Sequence, residues 1–264
     1  MASSNLQGVL KSALSDLDGI VTNLAFLSSA TKVVAVTGGI TQAVAGDATL
    51  RSVVLDFKKN SIDDFNTLYQ SLYVQVFASY ESFIRGLVQA YVDQVSSKDK
   101  TYEKLKLRNS LLDRNTYHTG FALQQVLENR TNVTLDFDAL VKNLFTAKAG
   151  SDLVTLNSVA FTLMLGTLRP DGIIEALKRV GQSDKAIWDR LGAVKEIQQH
   201  FNLKTARETA KAIDYFLTTS IKRRNSIVHK GEGIQAVSES DVLELIEFFK
   251  VFFAAFTDYL TAKI

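Results

Sequence analysis

A single proline, Pro170, stands in a chain of 264 residues. Proline is the residue that most firmly stops a helix, because it lacks the amide donor and its ring clashes with the preceding turn. Almost nothing here forbids helix, and the hydrophobic spacing argues for it positively. From Ile62 the apolar positions run Phe65, Leu68, Tyr69, Leu72, Tyr73, Val76 and Phe77. They continue through Tyr80, Phe83, Ile84, Leu87, Val88, Tyr91 and Val92, the three-and-four spacing of one buried helical face. No segment alternates at period two for long, and no repeat of fixed period recurs. The expected fold class is all-α.

Boundaries follow from local chemistry. Ser61, Asp63 and Asp64 predict a capped, dipole-matched start for the long helix. Further helices are expected over 100–129, 136–148 and 153–168, then from Pro170 to Val180 with the proline in the first turn. Trp188 to Phe201 reads as a shorter helix. Thr205-Ala206-Arg207-Glu208 has the spacing of a capping box and opens a helix that should end near Gly231. Ser238 to Asp241 opens the last one, with Val242, Leu245, Ile246, Phe249, Phe252, Phe253, Phe256 and Leu260 on one side. Thr31 to Asp47, rich in Gly, Val, Ala and Thr, is the best candidate for a connecting loop. The expected organisation is an N-terminal helical arm, 1–58, joined to a main helical domain, 59–264.

Charge and cysteine content narrow the chemistry. Acids number 28 against 30 Lys plus Arg, so any nucleic-acid role rests on a local patch rather than on a global field. There is no cysteine, which removes disulfides, thiolate nucleophiles and Cys-ligated zinc together and suits a reducing compartment. The opening residues lack a basic segment followed by an apolar run, and Lys32 interrupts the charge-poor stretch between Asp18 and Asp47. A cytoplasmic protein with no membrane partner is expected. No HExxH, Walker loop, GxGxxG or Ser/His/Asp spacing occurs, so neither cofactor nor metal is expected.

The combination with most chemical content is Arg224-Asn225-Ser226-Ile227-Val228-His229-Lys230-Gly231. Ile213, Leu217, Ile221, Arg224 and Val228 step by three or four, so Arg224 falls on the stripe that should meet a core or a partner helix. A guanidinium there cannot shed its charge and needs an anionic or carbonyl partner. His229 lies roughly 140° around the helix from Arg224 and close in azimuth to Asn225, which could hold its imidazole in one tautomer. Two copies meeting along this helix would bring two histidines and two arginines around one phosphodiester. Lys222, Arg223 and Lys230 suit either a phosphate contact or the macrodipole of a helix C-terminus.

These residues resemble the signature of the HEPN superfamily: Arg, four to six residues, then His, often with Asn directly after the Arg. The order of elements is also similar, with a long early helix carrying Tyr80-Glu81-Ser82-Phe83-Ile84, the motif late in the chain and a closing amphipathic helix. The chain looks most like the larger bacterial HEPN proteins near the RiboL-PSP group. The resemblance implies a HEPN-like helical bundle with additional helices and metal-independent cleavage of RNA at a homodimer interface. His229 would be general base or acid, Arg224 the stabiliser of phosphate charge and Asn225 a third catalytic residue, with Arg223, Lys230 and Lys222 as substrate contacts. It also implies a setting in toxin-antitoxin or antiviral defence, with an antitoxin or defence-system partner. The alternative is a HEPN-like nucleotide- or RNA-binding or assembly module without chemistry.

Other candidates have simpler readings. Glu81 lies opposite the apolar stripe of its helix, as a surface carboxylate or as support for a basic residue of the motif. Arg114-Asn115-Thr116-Tyr117-His118 is a near-copy of the motif, with its histidine one residue too early. His200, beside Phe201, reads as a local hydrogen-bonding residue, and Asp136-Phe137-Asp138 as a helix start. Lys98, Lys100, Lys104, Lys106 and Arg108 read as a solvated face, and the Phe-rich last helix as core or dimer interface.

Overall fold

The computed structural model describes residues 5–43, 48–106, 111–128, 135–149, 153–163, 165–166, 168–182, 187–229 and 236–264, with side chains described outside 29–65. Ten α-helices lie among these residues, and no strand. They are α1 (Leu6–Ala43), α2 (Ala48–Lys98), α3 (Tyr102–Lys106), α4 (Leu111–Leu127) and α5 (Phe137–Lys148). Then follow α6 (Pro170–Arg179), α7 (Ile187–Gly192), α8 (Lys195–His200), α9 (Ala206–Val228) and α10 (Glu239–Thr261). The all-α expectation holds. No described helix is long and apolar enough to cross a membrane.

The chain forms two compact units, one of Met1–Ala13, Glu81–Thr218 and Val251–Ile264, the other of Leu14–Tyr80 and Thr219–Lys250. In the first, Phe83 of α2 stacks on Phe253 of α10 with centroids 4.0 Å apart. In the second, Tyr80 stacks on Phe249 at 4.8 Å, and Phe77 meets the same phenylalanine edge-on at 5.6 Å. The expected stripe of α2 is buried from Tyr69 to Val92, but Leu68 is exposed. On α10 every expected core residue is buried, and Phe248 is buried with them, so the apolar face is wider than one stripe.

Several boundaries differ from expectation for identifiable reasons. α2 begins at Ala48, not at Ser61, since nothing in 48–60 breaks a helix and the Ser and Asp residues are tolerated within it. α1 carries helix through Thr31–Ala43, where a loop was expected; Val44 to Asp47 lie outside the described residues. The helix expected over 100–129 starts at Tyr102, since Lys100 gives its carbonyl to the Val154 amide at 2.8 Å; α3 and α4 cover its described part to Leu127, and 107–110 lie outside the described residues. The helix expected over 153–168 is only a 3₁₀ turn, Ser158–Phe161. The carbonyl of its last residue and those that follow bond to arginines instead of to a helical ladder: Arg179 donates to Phe161 and Leu163, and Arg85 to Thr162 and Leu165.

The helix expected over 188–201 breaks at Ala193 and Val194, giving α7 and α8. Gly192 sits against the backbone of Ala206, where a Cβ would overlap the carbonyl oxygen, so this crossing requires glycine. Pro170 opens α6 as expected. Asp136 caps α5, its carboxylate accepting the Ala139 amide at 2.9 Å. His200 lies edge-on to Phe201 and Phe216.

Candidate functional site

The end of α9 and the start of α10 belong to the second unit, and the two are tied there by one carboxylate. Asp241 and Ser238 form a reciprocal cap: the Asp241 amide donates to Ser238 Oγ at 3.2 Å, and the Ser238 amide donates to Asp241 Oδ2 at 2.7 Å. The same carboxylate accepts two hydrogen bonds from Arg223, at 2.7 and 3.0 Å. Arg223 also donates to the Ala236 carbonyl at 2.6 Å and lies 5.5 Å from the Tyr73 ring centroid. Nearby, the Val237 amide donates to Asn66 Oδ1 at 3.2 Å.

Electrostatics follow from these contacts. Burial pushes the Asp241 carboxyl up, but the hydrogen bonds from Arg223 and Ser238 outweigh it and hold the group down at about 2. The hydrogen bond to Asp241 in turn raises Arg223 above its ordinary range. Burial raises the Tyr73 phenol, whose hydroxyl donates to the Ser220 carbonyl at 3.4 Å.

Arg224, the next residue, has a different environment. It is half-buried, its Nη1 donates to Asn225 Oδ1 at 3.1 Å, and its buried Nε has no hydrogen-bond partner among the described residues. An amide oxygen orients a guanidinium without cancelling its charge. Of two adjacent arginines, one is therefore paired with a carboxylate, and the other contacts a carboxamide and no carboxylate among the described residues.

The remaining motif residues are more open. His229 follows the last turn of α9, its amide donating to the Asn225 carbonyl at 3.0 Å, and its side chain is exposed. The Asn225 carboxamide oxygen faces Arg224, which is a different partner from the His229 imidazole expected of it. Lys222 is exposed, and Lys230 lies outside the described residues. Glu81 is half-buried on α2 in the first unit and makes no ion pair among the described residues. The structure thus brings Arg224 and Asn225 into contact, and places His229 in solvent at the end of the same helix.

Asp241, Tyr73 and Asn66 also build this region; in the sequence Asp241 reads only as a helix start and Tyr73 only as core, and Asn66 carries no signal. The Ser238-to-Asp241 spacing was the available signal for a cap, but nothing local marks Asp241 as the partner of Arg223. No group of three or more His, Cys, Asp or Glu among the described residues is placed to hold a metal ion.

The family model described as RiboL-PSP-HEPN matches residues 50–262, which includes all of these elements. Comparison with curated proteins and with solved structures gives no match.

Proposed function

The chain belongs to the RiboL-PSP-HEPN family, and on that premise we propose that it is an endoribonuclease cutting RNA at a site shared between two copies. The observation that carries this reading is the Arg224 guanidinium, half-buried, held by Asn225 and paired with no carboxylate among the described residues, on the helix that the exposed His229 directly follows. A charge kept in that condition is suited to an anion arriving from outside the chain.

In the proposed reaction the His229 imidazole of one copy takes the proton from a ribose 2′-hydroxyl. The 2′-oxygen then forms a bond to phosphorus, and the bond from phosphorus to the 5′-oxygen breaks. The protonated His229 of the other copy delivers its proton to that leaving oxygen. Arg224 stabilises the charge that builds on the non-bridging oxygens. The products are a 2′,3′-cyclic phosphate and a 5′-hydroxyl, with no metal taking part. Lys222 and Lys230 serve as phosphate contacts, and Arg223, already held by Asp241, positions the end of α9. Absence of cysteine suits action in the cytoplasm, and a toxin-antitoxin or antiviral system is the proposed setting.

The test is on the substrate. Purified protein should cut a single-stranded RNA oligonucleotide in the presence of chelator, leave the all-2′-deoxy version intact and yield cyclic phosphate ends. Binding of RNA without cutting, by a dimer at high concentration, would favour the non-catalytic module instead.

A further inference from the structure

The near-copy of the motif that sequence reading set aside lines a cavity of about 470 Å³, within the first unit. From α4 come Asp113, Arg114, Tyr117 and His118. The last turns of α6 add Glu175, Lys178 and Arg179. The volume falls within the range of small-molecule sites.

Three cations face two carboxylates here. Arg114 is anchored through its Nη1 on the Lys178 carbonyl, and its buried Nε has no hydrogen-bond partner among the described residues. Arg179 donates to the Phe161 and Leu163 carbonyls, and Glu175 stands 3.6 Å from its Nε. The Lys178 ammonium is exposed and has no ion-pair partner among the described residues. His118 is half-buried, its ring 5.2 Å from Phe161 and 5.2 Å from Tyr117. Burial first, then Arg179 and Arg114, push its imidazole down to about 4, against the smaller opposing pull of Glu175. The imidazole is therefore neutral near pH 7 and offers one N–H. Tyr117, 72% exposed, leaves an aromatic face in solvent at the rim.

We propose that this cavity binds a small phosphomonoester carrying a planar ring, with the phosphate on Arg114, Lys178 and His118 and the ring against Tyr117. A dianion meets there one pre-anchored guanidinium, one unpaired ammonium and an imidazole able to take up a proton as the cations are neutralised. Asn115, the middle residue of the near-copy, takes no part. It is fully buried, and its Oδ1 accepts the Asn157 amide at 2.8 Å. This proposal is independent of the ribonuclease reading, because none of its residues belongs to the α9 motif.

Isothermal titration of the full chain with adenosine 5′-monophosphate, inorganic phosphate and adenosine tests it, together with NMR titration of the His118 imidazole. The nucleotide should bind saturably and more tightly than phosphate, and adenosine should not bind. Lys178→Ala should weaken the nucleotide at least fivefold, and Tyr117→Ala should weaken the nucleotide but not phosphate. Saturation should raise the His118 midpoint by at least one pH unit, while Arg224→Ala leaves binding unchanged. Absence of saturable binding, binding indifferent to Lys178→Ala, an unmoved His118 midpoint, or binding lost only in Arg224→Ala would each overturn the proposal.

Discussion

Arg223 donates from both terminal nitrogens to the two carboxylate oxygens of Asp241, at 2.7 and 3.0 Å, and so ties the end of α9 to the first turn of α10. The pair is only partly exposed, with 23% and 28% of the two side chains accessible. Two-point geometry and shared hydrogen bonds put it above an ordinary surface ion pair. Asp241→Asn should cost about 1–2 kcal/mol near neutral pH.

The same pair sets a pH dependence. The Asp241 carboxyl is held down at about 2 in the folded chain, against about 3.9 when unfolded. The unfolded state therefore binds the proton first, so the contribution is complete above about pH 4 and is lost as pH falls towards about 2. Urea unfolding of wild type and Asp241→Asn across that window should show two midpoints that converge on acidification.

Adjacent arginines should separate stability from activity. Arg223→Ala should lower the melting temperature, since it leaves Asp241 Oδ1 and the Ala236 carbonyl without the donor that Arg223 supplies. Arg224→Ala removes only a hydrogen bond to the neighbouring Asn225 among the described residues, so the melting temperature should change little. Cleavage should fall by about 10²–10³-fold, the usual loss when a donor to a developing oxyanion is removed. Thermal melts and single-turnover rates on the two variants check this.

Away from the site, Asn157 is a buried junction. Its amide donates to Asn115 Oδ1, its carboxamide donates to Thr119 Oγ1 and the Leu140 carbonyl, and its Oδ1 accepts from Asn143. Asn157→Leu leaves several of those groups unsatisfied and should cost about 2–4 kcal/mol, measured by chemical denaturation.

These contacts show where sequence reading succeeds and where it stops. The faces of α2 and α10 were legible because burial repeats with the helical period, and the cap at Ser238 because its partner is three residues away. Leu68 defeats the period, since its position continues the stripe but its side chain is 43% exposed. The segment 153–168 is expected to be helix, but only Ser158–Phe161 forms a 3₁₀ turn. Its carbonyls are taken by Arg85, from far upstream, and by Arg179, and no local pattern announces either. At the candidate site, the sequence places Arg224, Asn225 and His229 on one helix. Which of two neighbouring arginines is paired with a carboxylate depends on Asp241, 18 residues along the sequence, and is visible only in the fold.

Cleavage by His229→Ala tests the central claim most directly. With unchanged helicity and the same dimer content as wild type, this variant should cut the RNA oligonucleotide at least 10²-fold more slowly, the scale of a lost general acid or base. Undiminished cutting by the variant, or RNA left intact by a wild-type dimer at high concentration, would contradict a ribonuclease built on this histidine.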